Sequence, residues 1–122
     1  MPIRTALVPV RTAPDRHTET VRLYQSVTGA AAGPTRTVEA TGLTVTVVGP
    51  VLVLSGAEEA LAAEREVGVV FTVDSLAGTT ELLLAQGAEL VRELPAMPHG
   101  RGRQLRHPDG LVAEYLELGP QP

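Results

Sequence analysis

The sequence has no cysteine, and that one absence removes disulfides, thiolate metal sites and thiol nucleophiles together. It has no lysine either; all ten basic residues are arginine. Schiff-base chemistry and a Walker-type phosphate loop each need an amine, so neither is available. Aromatics are scarce: Tyr24, Phe71 and Tyr115 are the whole set, so the core must be built from Val, Leu and Ala. No apolar run approaches the ~20 residues that span a bilayer, and the N-terminus carries no signal-peptide pattern. A soluble cytoplasmic protein with no membrane partner is the expectation. The net charge of −4 argues against nucleic acid as a partner, because neutralising phosphates takes a basic surface. Arg101, Arg103 and Arg106 form a local basic cluster that reads as a solvated strand face.

What is present is 122 residues, 43% of them apolar, enough for one domain with a sizeable core. Residues 3–10 read as a strand whose Pro9, lacking an N–H, belongs at an edge or a bulge. Thr12-Ala13-Pro14-Asp15 is a helix-start signal with Thr12 as capping hydroxyl. Val21, Leu23, Tyr24 and Val27 follow at helical spacing, and Gly29 supplies the stop. Residues 35–40 and 43–48 form a hairpin about Thr41-Gly42, and 51–54 is a continuous apolar strand. Residues 56–66, rich in Ala and Glu, could form a short helix. Val67–Val73 is the next strand, and Asp74 and Ser75 offer caps for a helix that turns Leu76, Thr80, Leu83 and Leu84 inward. Gly87 closes it. Three strands follow at 89–93, about 101–106, and 111–118, the last two joined by His107-Pro108-Asp109-Gly110.

Strand, helix, three strands thus occurs twice at a period of about sixty residues. The expected class is α+β. Two βαβββ modules are expected, 1–58 and 67–122, with 59–66 as linker. The segments Phe71-Thr72-Val73-Asp74-Ser75-Leu76, Gly87-Ala88-Glu89-Leu90-Val91, Pro98-His99-Gly100-Arg101 and His107-Pro108-Asp109-Gly110 leading to Glu114 resemble the vicinal oxygen chelate superfamily. That is the glyoxalase, bleomycin-resistance and extradiol-dioxygenase group. The resemblance implies that the modules form curved sheets around a cup-shaped cavity, with a metal held by two His and two Glu on the first and last strands of the modules. At those positions stand Thr5, Leu54 (or Val53, one residue away), Gly68 and Glu114. One carboxylate of four ligands cannot hold a divalent ion, so no metal and no other cofactor is expected.

Glu114 shares a strand face with Val112 and Leu116, and the opposing hairpin arm places Arg103 or Gln104 across from it. Glu114 is therefore the candidate catalytic residue, as a general base, or a hydrogen-bond acceptor for a ligand. Glu114, Val112, Leu116, Arg103, Gln104 and His99 are the candidate ligand-binding residues, His99 through a loop that rims the family's cavity. Pairing of Glu114 with Arg103 as a purely structural contact is the competing account. His107 is expected as an exposed turn residue, His17 as a cap or solvated group, and Asp74 and Asp109 as a cap and a turn residue. Tyr115, one residue from Glu114, should pack under the helices on the opposite face, and the hydroxyls of both tyrosines should be wet.

Two functional classes follow. One is a metal-free small-molecule-binding protein that captures or sequesters an apolar ligand, as resistance proteins of the resembled superfamily do. The other is a metal-independent isomerase, lyase or cyclase with Glu114 as base. Metal-dependent glyoxalase or dioxygenase chemistry ranks behind both, as does a scaffold with no ligand. A homodimer is expected, since a twofold interface would cover exposed sheet edges.

Overall fold

The computed structural model describes residues 3–95, 97 and 100–119. The elements run β1 (Ile3–Thr12), a 3-10 turn (Pro14–Arg16), α1 (His17–Thr28), β2 (Arg36–Val38), β3 (Leu43–Val48) and β4 (Val51–Ser55). There follow α2 (Glu58–Ala62), β5 (Val67–Val73), α3 (Leu76–Ala85), β6 (Glu89–Glu93), β7 (Gly100–Arg106) and β8 (Val112–Leu118). This is the α+β class with two βαβββ modules that the sequence pattern leads one to expect. Two compact units are present: Leu7–Glu66, and Val67–Pro122 together with the described part of Met1–Ala6.

In the first unit β1 runs parallel to β4, β4 pairs antiparallel with β3, and β3 antiparallel with β2. All five residues of β4 are buried, as its unbroken Val-Leu run requires. Helix α1 lies against β3 and β4. Pro9 is not at a bulge; it pairs with Leu52 inside the β1–β4 ladder. Val8 donates its N–H to Pro50, so alternation along β1 points the missing donor of Pro9 away from β4, where the ladder loses nothing.

The start of α1 differs from the sequence pattern. Thr12 ends β1 rather than capping the helix, and its hydroxyl accepts a hydrogen bond from Thr20. Pro14–Arg16 forms a 3-10 turn first, with Pro14 at a position whose N–H needs no partner. The inward face of α1 carries His17, Val21 and Tyr24, whereas Leu23 and Val27 are exposed. Gly29 ends the helix at φ 72°, a left-handed position that costs a residue with Cβ but not glycine.

In the second unit β5 runs parallel to β8, β8 antiparallel to β7, and β7 antiparallel to β6. Helix α3 covers one face, where Val73, Leu76, Ala88, Leu105, Ala113 and Tyr115 form the core with Val69, Phe71 and Leu83 against it. Each fully buried Leu or Val there contributes about 1.5–3 kcal/mol. Leu76 and Thr80 face inward as expected; Leu84 does not, and Thr79 is buried instead. The inward stripe of α3 runs through Leu76, Thr79, Thr80 and Leu83, and Leu84 lies outside it on the exposed side. Ser75 is the N-cap, accepting from the N–H of Gly78, and Asp74 pairs with Arg4 at 3.2 Å on the surface.

Candidate functional site: the Glu114 face

The turn that precedes β8 is held by three bonds. The N–H of Gly110 donates to the His107 carbonyl, that of Leu111 to Asp109 Oδ1, and that of His107 to the Leu111 carbonyl. Gly110 takes φ 96°, so the Pro-Asp-Gly sequence can close without strain. The turn fixes the register of β7 on β8, with Gln104 opposite Glu114 and Arg103 opposite Tyr115.

Directly paired residues share a sheet face, so one face of the second unit carries Val70, Thr72, Gln104, Val112, Glu114 and Leu116. Glu114 is 7% exposed and Gln104 3%. Gln104 Nε2 donates to Glu114 Oε2 at 3.0 Å. A carboxylate in such surroundings persists only where donors replace its lost hydration, and the Gln104 amide is one of them. Beside this pair Thr72 and Thr5 share a hydrogen bond between their hydroxyls. The sequence pattern does not single out Thr5 and Thr72 as a pair; alternation from Val70 to Thr72 is the available signal.

Other candidates fall elsewhere. Arg103 lies on the opposite face, bonded to Glu93 and, at 3.0 Å, to Thr80 Oγ1, so it faces α3 rather than Glu114. Its strand parity with Tyr115 is the reason. His99 lies outside the described residues. Val112 and Glu114 are buried and Leu116 half-buried on the shared face. Tyr115 is 2% exposed beneath α3, as parity requires. Its hydroxyl is not wet: it meets His107 Nε2 at 2.7 Å, and its ring lies 5.3 Å from that of Phe71. Burial pushes the Tyr115 phenol above its ordinary range. His107 is accordingly half-buried, not an exposed turn residue, because the turn directs its ring back over β8.

The four positions of the implied metal site bring one carboxylate among them. Thr5 is bonded to Thr72, and Leu54 is a buried side chain paired with Arg11 and Val45. Gly68 sits at an irregularity between Val67 and Val69, where an added Cβ would come within 2.9 Å of Leu111 Cδ1. Among the described residues no group of three His, Asp or Glu side chains is placed to hold a metal ion. The donor chemistry at these positions therefore does not fit a divalent centre.

A second polar cluster, in the first unit, is one that sequence reasoning misses. His17, 8% exposed, places Nδ1 2.7 Å from Ser55 Oγ and Nε2 2.8 Å from Thr46 Oγ1, and Thr46 shares a further bond with Thr35. His17 is thus neither a cap nor solvated; as the first residue of α1 it points down onto β3 and β4. Desolvation holds its pKa below the ordinary histidine value. Ser55 and Thr46 are 2% and 1% exposed, so the Ser–His contact is roofed from any substrate and serves packing.

The duplicated βαβββ arrangement defines a vicinal-oxygen-chelate-type fold. Among solved structures, a hypothetical protein of Methanosarcina mazei is similar at TM-score 0.81 and 29% identity, over 100% of this chain and 98% of that one. Methylmalonyl-CoA epimerase of Mycobacterium tuberculosis is similar at TM-score 0.69 and 15% identity, over 97% and 90% of the two chains. A Streptomyces coelicolor methylmalonyl-CoA epimerase variant, solved in complex with 2-nitronate-propionyl-CoA, is similar at TM-score 0.66 and 16% identity, over 95% and 99%. No protein-family model matches the sequence, and no curated protein does. Among the described residues no helix is long and apolar enough to cross a membrane.

Proposed function

We propose that this chain binds a small apolar or amphipathic organic molecule on the Glu114 face without a divalent metal. The observation that carries this reading is the Glu114–Gln104 pair. At the one position where the resembled superfamily's ligand set keeps a carboxylate, that carboxylate meets an amide among Val70, Val112 and Leu116. Thr5, Leu54 and Gly68 bring no ion-binding group. Mostly apolar surroundings with a few fixed polar groups are what small-molecule sites present. Sequestration of the bleomycin-resistance kind is the function of this class.

The second reading is metal-independent proton transfer with Glu114 as general base. The solved epimerases with this fold, one in complex with 2-nitronate-propionyl-CoA, support proton transfer as the chemistry, while its metal independence rests on the donor set of this chain alone. Here Gln104 would fix the orientation of the carboxylate toward an activated C–H bond. Metal-dependent glyoxalase or dioxygenase chemistry is a third reading and ranks last.

A thermal-shift screen of small hydrophobic compounds and acyl thioesters, with and without divalent cations, tests the proposal. Binding should raise Tm equally with and without metal, and Glu114→Gln should alter affinity only modestly, since an amide still accepts a hydrogen bond. If Glu114 is a base, the same variant should bind normally and lose turnover by roughly two to four orders of magnitude. A stoichiometric divalent ion in purified protein, with a Tm that falls on chelation, would refute the metal-free reading.

A further inference from the structure

We propose that His17 is an acid-sensitive latch whose protonation releases the first turn of α1 from β3 and β4. The geometry is a closed chain of hydroxyl and imidazole groups: Ser55 Oγ, His17 Nδ1, His17 Nε2, Thr46 Oγ1, Thr35 Oγ1, with consecutive contacts of 2.7, 2.8 and 2.7 Å across groups. A neutral imidazole has one N–H and one lone pair, so every link can be satisfied with all protons running the same way along the chain. Either tautomer allows it.

An imidazolium cannot keep that one-way order of protons. Both ring nitrogens then donate, and both Ser55 and Thr46 must accept. From the Nε2–H tautomer the Ser55 hydroxyl, 2% exposed, must redirect its proton away from the ring; from the Nδ1–H tautomer Ser55 already accepts, and the Thr46 and Thr35 hydroxyls must turn instead. A charge is also created where water is excluded.

The two strands bonded to the ring offer it no counter-charge. Neither β3 (Leu43–Val48) nor β4 (Val51–Ser55) contains an ionisable residue. The 3-10 turn brings Asp15 and Arg16, and α1 itself brings Glu19 and Arg22. Arg16 pairs with Glu19 at 3.0 Å on the exposed side. Arg36 on β2 is exposed. The lowered pKa of His17 agrees in direction with this geometry.

The closed latch favours the neutral ring, so the sign follows from linkage. Above about pH 6.5, the ordinary histidine value, docking is at full strength. As pH falls below that value the undocked state binds the proton more readily, and docking weakens until the docked ring itself titrates. A docked ring that titrates one pH step below the ordinary value makes the segment about tenfold easier to open in acid.

The test joins two measurements on the whole chain: NMR titration of the His17 ring, and amide hydrogen exchange of residues 15–22 between pH 7.5 and 5, corrected for intrinsic rates. The ring midpoint should lie below about 6.5. Residues 15–22 should lose protection on acidification, roughly tenfold for each pH step by which the ring midpoint lies below the ordinary value, while β5–β8 keep theirs. In His17→Gln, which retains an amide donor and acceptor but cannot titrate, protection of that segment should be flat with pH. A ring midpoint at or above the ordinary value would overturn the proposal. So would unchanged protection of residues 15–22, loss of protection across the whole chain at once, or the same acid loss in His17→Gln. If that variant does not fold, the two measurements on the unaltered chain decide alone.

Discussion

Gln104 and Glu114 can be separated from their surroundings by a double-mutant cycle. Gln104→Leu keeps the side chain's bulk but removes the Nε2 donor that lies 3.0 Å from Glu114 Oε2. Hydrogen bonds to charged groups contribute about 1.5–3 kcal/mol, and the loss here is of a donor buried to 3% exposure. For a chain of 122 residues each kcal/mol moves Tm by about 3–5 °C, so the single variant should melt about 5–15 °C lower. Glu114→Leu leaves the Gln104 amide facing an apolar side chain and should also destabilise. The double variant removes both partners at once, and an apolar pair of similar shape lifts the desolvation cost. Its loss should fall short of the sum of the singles by at least about 1 kcal/mol. Denaturant unfolding of all four proteins at one pH, with equal m-values, is the assay. Additivity to within about 0.5 kcal/mol would refute the coupling and with it the pair as the organising contact of the face.

Tyr115→Phe keeps the packing against Phe71 and strips the hydroxyl from His107. It should cost about 0.5–1.5 kcal/mol, read as a Tm lower by several degrees, and an unchanged Tm would mean the contact contributes nothing. Glu117 accepts from the Leu76 N–H at 2.8 Å and from Arg101 Nε at 3.3 Å, and these partners, the backbone bond first, hold its carboxyl below the ordinary range. Its folded pKa is depressed, so its stabilisation is full above the unfolded carboxylate pKa and is lost as pH falls through the folded value. Glu117→Gln should flatten that acid limb of the Tm profile, and an unaltered limb would remove Glu117 from the account. We propose a homodimer, and sedimentation at roughly 10–50 µM should give the mass of two chains; a strict monomer there would end the proposal.

The duplicated order of elements is legible in the sequence because it rests on punctuation that local physics enforces. Gly29 takes positive φ, and Pro108-Asp109-Gly110 forms a turn with its own internal hydrogen bonds. Strand parity then follows without further information. Period-two alternation in β8 puts Tyr115 under α3 and Glu114 on the other face, and hairpin arithmetic brings Gln104 opposite Glu114. The same arithmetic cannot choose between Gln104 and Arg103, because a shift of one residue in turn length exchanges their faces.

One group of the hidden contacts shares a physical character: they tie the N-terminal part of a helix to strands distant in sequence. In the first unit His17 reaches Thr46 and Ser55, 29 and 38 residues on. In the second, the Leu76 N–H reaches Glu117, 41 residues on, and Thr80 meets Arg103, 23 residues on. A local reading assigns such groups to caps and solvated faces, since helix N-termini present unpaired N–H groups and nearby Ser, Thr and Asp are the usual partners. That logic makes caps of Thr12 and Asp74, and both are engaged elsewhere. The sheet supplies the partner in each unit, neutral in one and ionic in the other. The difference has a thermodynamic consequence. The neutral clamp weakens as pH falls below the ordinary histidine pKa, the ionic one only as pH falls through the depressed pKa of Glu117. Acid should therefore loosen α1 before α3, and hydrogen exchange resolved by helix would show the reverse order if the two clamps were misassigned.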